Sequence, residues 1–155
     1  MTDVERLQRS LGSVERGATE LSWAKERPWR VETHVWADDG LPVVDLHDLG
    51  AKLAQKAVHR SAAVSSDLQA GAVCFVTGRG RRSIGPGVVR KVAEKELRAY
   101  CAKRGCYYRP AGPGRLVLVV DPNRAPVSAT GRLGIGFWLV VVLFLVAVVL
   151  VCWFG

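Results

Sequence analysis

VVDLHDLG, residues 43–50, begins as an apolar strand and turns polar at Asp45 and His47 before a helical pattern takes over. Side chains alternate across a strand, so Asp45 and His47 share one face while Val44 and Leu46 share the other. One face is suited to burial and the other carries a carboxylate and an imidazole. The strand is expected from Leu41 to His47, entered through Pro42. Downstream, Leu49, Leu53 and Ala57 make one apolar row, with Ala54, Val58 and Ala62 beside it. That spacing predicts a helix from Leu49 to about Ser65. An aspartate beside a histidine fixes the ring's tautomer and orientation, which suits general acid or base work. The same pair also fits a purely structural brace of the strand-to-helix turn, with Asp48 capping the following helix.

Further along, AVCFVT (72–77) is continuously apolar, as a central strand covered on both faces would be. GRGRRSIGPG (78–87) reads as a loop, and Pro86 suits the first turn of a helix from Gly87 to Arg104. That helix would pack on Val89, Val92, Ala93, Leu97 and Tyr100. CYYR (106–109) and LVLVVD (116–121) read as short strands around a Pro/Gly turn. The predicted fold class is α/β, a small βαβαββ sandwich over residues 41–122.

TGRG (77–80) leaves a buried strand and leads toward a helix N-terminus, where glycines let backbone N–H groups face an anion. It is not a phosphate-binding P-loop, because no Gly-Lys-Ser/Thr follows. It also misses the dinucleotide pattern, since Ser83 stands where the third glycine belongs.

Charge points the same way as the loop. The chain carries 22 Lys+Arg against 14 Asp+Glu, a net +8. Between Val43 and Asp121 stand 14 basic and 6 acidic residues, while the remainder holds 8 of each. The whole excess therefore lies on this one stretch. Lys52, Lys56 and Arg60 recur at helical spacing, as do Lys91, Lys95 and Arg98, and Arg79, Arg81 and Arg82 cluster in the loop. A polyanion is the partner such a distribution suits: nucleic acid, or an anionic membrane leaflet.

VDLHDL at the end of a first strand, TGRG at the end of a second and GPGVVRKV opening the next helix together resemble the small MutS-related (Smr) domain. That family has a Leu-Asp-Leu-His-Gly motif, then a His/Thr-Gly-x-Gly loop. Its fold resembles the C-terminal domain of a translation initiation factor. The resemblance covers about half the chain. It implies DNA or RNA binding, with nicking or cleavage in several members. Asp45 and His47 are the implied catalytic pair, with Thr77, Gly78, Arg79 and Gly80 in the nucleic-acid loop. Arg81, Arg82, Arg90 and Lys91 extend the expected contact surface. The family's glycine after the histidine is Asp48 here, and a carboxylate at a phosphate-facing turn repels nucleic acid unless it holds a divalent metal or faces away. No metal is assigned, and a divalent ion such as Mg²⁺ or Mn²⁺ is left open.

Outside the domain, GFWLVVVLFLVAVVLVCWFG (136–155) has no charge and no proline. As a helix it would extend about 30 Å, the thickness of a bilayer's hydrocarbon core. A transmembrane helix is expected over 135–154, after a linker over 123–134. Arg124 and Arg132 precede it and no basic residue follows, so the positive-inside rule puts the domain on the cytosolic side. At the other end, Val4, Leu7, Leu11, Val14, Ala18 and Leu21 follow heptad spacing, interrupted by Gly12 and Gly17. Residues 1–30 are expected to be an amphipathic helix or a flexible arm, with weak self-association through 4–21. Residues 31–40 read as an irregular connector, with a short extended piece at Val31 to Trp36 as the alternative. Cys74, Cys101, Cys106 and Cys152 include no C-x-x-C and the three His do not cluster with them, so a structural zinc site is not expected, and a cytosolic face argues against disulfides. Cys74 and Cys101 read as small core residues.

Two functions stand at this point. One is a membrane-tethered nuclease using His47 oriented by Asp45. The other is a binding module that cuts nothing, holding nucleic acid or lying against anionic lipids; a tail-anchored adaptor recruiting a protein through residues 4–21 is a further alternative that rests on the heptad spacing alone.

Overall fold

The computed structural model describes residues 1–20, 28–78, 87–126 and 129. Its elements are α1 (Asp3–Thr19), α2 (Val31–His34), β1 (Val35–Asp38), β2 (Leu41–Asp45), α3 (Ala51–Val64), β3 (Ala72–Val76), α4 (Val88–Arg104), β4 (Tyr107–Pro110) and β5 (Arg115–Val119). The fold is mixed α/β, with five strands in one sheet in the order β1-β2-β3-β5-β4. β2 and β3 are parallel neighbours, and every other pairing is antiparallel. From β2 onward the elements run β-α-β-α-β-β, in the order that the hydrophobic periodicity predicts.

Alternation along the strands sorts the core. Val44, Leu46, Val73, Phe75, Leu116 and Leu118 point into a cluster with Leu7 and Leu11 of α1, Ala54 and Val58 of α3, and Ala93 and Leu97 of α4. The alternate residues Val43, Cys74, Val117 and Val119 form a separate cluster that contains no residue of those three helices.

Of the two readings of residues 1–30, α1 is the helix. Thr2 and Glu5 close a capping box, with the Glu5 N–H donating to Thr2 Oγ1 and the Thr2 N–H donating to Glu5 Oε2. Leu7, Leu11, Val14 and Ala18 are buried, so the face expected to pair with a second copy is covered by the protein's own core. Burial of each large side chain is worth about 1.5–3 kcal/mol, which outweighs the two helix-interior glycines at about 1 kcal/mol each. The Asp3 carboxylate accepts from the Gln69 and Ala70 N–H groups and pins the helix start near the turn into β3.

Residues 31–40 are not an irregular connector. They supply α2 and then β1, which forms a hairpin with β2 through Asp39 and Gly40, both at positive φ (48° and 76°). A two-residue turn with both φ positive matches the twist of the flanking strands. Other boundaries move inward: β2 ends at Asp45 rather than His47, α3 begins at Ala51 rather than Leu49, β3 ends at Val76 rather than Thr77, and β5 ends at Val119 rather than Asp121.

Residues 135–154 and most of the 123–134 linker lie outside the described residues. Among the described residues no helix is long and apolar enough to cross a membrane.

Candidate functional site

β2 and β3 run side by side in the same direction, so their C-terminal ends reach one edge of the sheet together. Ligands in α/β proteins bind at such strand ends. The Leu46 N–H donates to the Val76 carbonyl at 2.8 Å and carries the pairing one step past Asp45. The chain then turns, with the Leu49 N–H donating to the Leu46 carbonyl at 3.1 Å. Leu46 stays buried in the helix-covered core, while Asp45 is half-buried and His47 is exposed.

Asp45 organises this turn. Its Oδ1 accepts from the His47 backbone N–H at 3.0 Å and lies 2.7 Å from His47 Nδ1. A short side chain bonding two residues ahead is a common turn lock, and the ring bond orients the imidazole. The other ring nitrogen, Nε2, lies 3.0 Å from Asp48 Oδ2. Asp48 therefore does not cap α3. The N-cap is Gly50, with no side-chain cap, and the Asp48 carboxylate turns back onto the histidine.

A residue that the sequence reading passed over completes the cluster. His34, at the end of α2, places its Nε2 3.6 Å from the same Asp48 Oδ2. His34 Nδ1 lies 3.2 Å from the Arg30 N–H, 3.0 Å from the Arg30 carbonyl and 2.8 Å from Thr33 Oγ1, which fixes the ring with Nε2 toward Asp48. The two imidazole centroids are 6.1 Å apart. Trp29, 1% exposed, packs its ring 5.4 Å from that of His34 and donates from Nε1 to the Asp45 carbonyl at 2.7 Å. One indole thus ties both halves of the cluster together. His47 is the open member, with its side chain 49% exposed, against 14% for Asp45 and 15% for His34.

His34 was within reach of the sequence. Asp39–Gly40 is a strong hairpin signal. Counting outward from it pairs Asp38 with Leu41 and Val35 with Val44, and one further step sets His34 opposite Asp45. Trp29 has no comparable signal, because its position depends on how the chain leads into α2.

The remaining predicted residues divide. Gly78, at φ 76°, lies against His47: a Cβ there would be 3.6 Å from His47 Cβ. Thr77 is buried, and both its N–H and its hydroxyl donate to the Gly114 carbonyl, so it anchors the start of the loop rather than facing a ligand. Arg90, in the first turn of α4, is paired with Glu94 at 2.8 Å, and Lys91 beside it is exposed. Arg79, Gly80, Arg81 and Arg82 lie outside the described residues.

The basic rows are not equivalent. Lys91, Lys95 and Arg98 are exposed along α4. On α3, Lys56 and Arg60 donate to the Ser13 and Ser10 carbonyls, so that row also fastens α1. Among the described residues no group of three or more His, Cys, Asp or Glu side chains is arranged to hold a metal ion.

No family model, no curated protein and no solved structure matches this chain.

Proposed function

We propose that residues 41–122 form an Smr-like domain that binds nucleic acid, holding a phosphate at the ends of β2 and β3. Residues 135–154 would tether it to a membrane, with the domain on the cytosolic side. One observation carries the binding site. Asp48 Oδ2 is addressed by His47 Nε2 at 3.0 Å and by His34 Nε2 at 3.6 Å. Two imidazole nitrogens converging on one carboxylate oxygen support an anion position there, where a phosphate oxygen displacing the carboxylate would keep the His47 contact and lie within ion-pair range of His34. Gly78 supports the reading, because a residue without Cβ beside His47 lets a ligand backbone approach closely. The loop arginines and Lys91 add charge that favours a polyanion through counterion release.

Binding without cleavage is the reading the geometry favours. To act as acid or base, His47 must exchange a proton with the reacting group through Nε2, and Asp48 engages that nitrogen. The family's glycine has no such side chain. The second reading, a nuclease, rests on the 2.7 Å contact between Asp45 and His47 Nδ1, which orients the ring as an acid–base residue requires. It needs the Asp48 carboxylate to swing away when substrate enters.

The test uses the full chain in neutral detergent micelles and labelled single-stranded RNA, single-stranded DNA and duplex DNA. Affinity is expected to fall steeply between about 50 and about 200 mM salt. His47→Ala should weaken binding by about tenfold or more, the value of a hydrogen bond to a charged group. Asp48→Gly should tighten it. Failure to retain any nucleic acid, or affinity indifferent to salt, would sink the proposal. Retention on anionic vesicles alone would favour the lipid-contacting module. Cleavage with Mg²⁺ or Mn²⁺ that disappears in His47→Ala would promote the nuclease reading.

A further inference from the structure

α4 ends in a left-handed cap: Gly105 has φ 67° and ψ 18°, and its N–H donates to the Cys101 carbonyl at 3.0 Å. Such a cap folds the residue after the glycine back onto the last turn of the helix, where two apolar side chains ordinarily meet. Here the two positions hold cysteines. The Cys106 thiol donates to Cys101 Sγ with the sulfurs 3.2 Å apart. Both are free thiols, both are half-buried, and they lie outside the strand-end cluster. Cys74, by contrast, is buried in the sheet with no described cysteine beside it.

We propose that Cys101 and Cys106 are a dithiol–disulfide pair, a modification site closed by low-molecular-weight disulfides and reopened by thiols. A disulfide needs an S–S distance of about 2.05 Å, so the sulfurs must approach by about 1 Å, a shift within reach of side-chain rotation. The cap already holds them together, so little further ordering accompanies closure. Burial and the neighbouring Cys106 thiol push Cys101 up to about 12, which holds it as the thiol while the pair is reduced.

With oxidised glutathione the step balances. Cys106 loses its proton and attacks one glutathione sulfur, the glutathione S–S bond breaks, and one glutathione thiolate leaves. Cys101 then loses its proton and attacks Cys106 Sγ, expelling the second glutathione. The protein gives up two protons and two electrons, and oxidised glutathione becomes two thiols. The product staples the end of α4 to the residue preceding β4. A reducing compartment keeps the pair open, and oxidation locks it.

The experiment treats the full chain with oxidised glutathione, blocks the remaining thiols with a maleimide and maps the peptides. The expected product is about 2 Da lighter, with Cys101 and Cys106 linked and both released by dithiothreitol. Cys101→Ser should instead trap glutathione on Cys106. Gly105→Ala keeps both thiols but strains the cap, and should slow closure by about threefold or more. Circular dichroism shows whether each variant is folded. A stable glutathione adduct in the parent chain, maleimide blocking of both thiols after oxidant, or closure at an unchanged rate in a folded Gly105→Ala would each overturn the proposal.

Discussion

Val44 and Leu46 are fully buried at the end of β2, while Asp45 and His47 carry its polar contacts, and the two sides are held by different physics. The helix-covered side is a volume to be filled. Leu7, Leu11, Phe75, Leu97, Leu116 and Leu118 are fully or almost fully buried there, and each contributes through many weak contacts. The strand-end side is a set of single directional contacts: 2.7 Å from Asp45 to His47, 3.0 Å from His47 to Asp48, and 2.7 Å from Trp29 to the Asp45 carbonyl. The first kind of order is redundant and the second is not. Substitutions on the packed side should therefore move stability, and those at the strand ends should move binding.

The largest effect tests the packed side. Leu11→Ala, at a position with no exposure, should cost about 2–5 kcal/mol in urea denaturation. A loss below about 1 kcal/mol would mean that α1 is not part of the core and would revive the flexible arm.

Trp29→Phe probes the residue shared by both sides. It keeps an aromatic ring but leaves the Asp45 carbonyl without its indole partner. It should cost about 1–3 kcal/mol and weaken nucleic-acid binding as well. Loss of stability with binding untouched would separate the two sides more sharply than the geometry does.

His47→Ala should mark the contrast most clearly. With its side chain half exposed, its removal should change stability by no more than about 0.5–1 kcal/mol while binding falls. A larger drop in stability would make the Asp45–His47 pair a structural brace.

The smallest effect is alkaline. Burial pushes the Cys74 thiol up to about 11 from its ordinary 9.0. The folded protein thus keeps a proton that the unfolded chain begins to release near 9. Cys74's contribution is fully present below that value and is lost as pH rises through about 11. Between about pH 8 and about pH 10.5 the urea midpoint should fall less in Cys74→Ala than in the parent chain. Equal slopes would show that Cys74 is not buried as a thiol.

The packed side was largely legible beforehand. Leu49, Leu53 and Ala57 repeat at the helical period, AVCFVT is continuously apolar, and β2 to β5 appear in the order read from such patterns. The helical half of the reading of residues 1–30 was legible too. What heptad spacing did not say is which surface the stripe meets, and here it meets the sheet and α3. At the strand ends, Asp45 and His47 stood out as a polar pair on an apolar strand. The helix-cap alternative for Asp48 fails, because capping follows from where a helix starts and α3 starts at Ala51.

By itself the sequence determined the α/β class, the alternation that separates Val44 and Leu46 from Asp45 and His47, and the concentration of positive charge between Val43 and Asp121. These follow from covalent geometry and composition, which act within a few residues along the chain. Tertiary structure decided that His34 and His47 both face one oxygen of Asp48, that Trp29 supports them, and that Lys56 and Arg60 reach back to α1. Such distances depend on strand register, on the direction of a turn and on which helix face meets the sheet. Those are set by the simultaneous packing of distant segments, which no local period encodes.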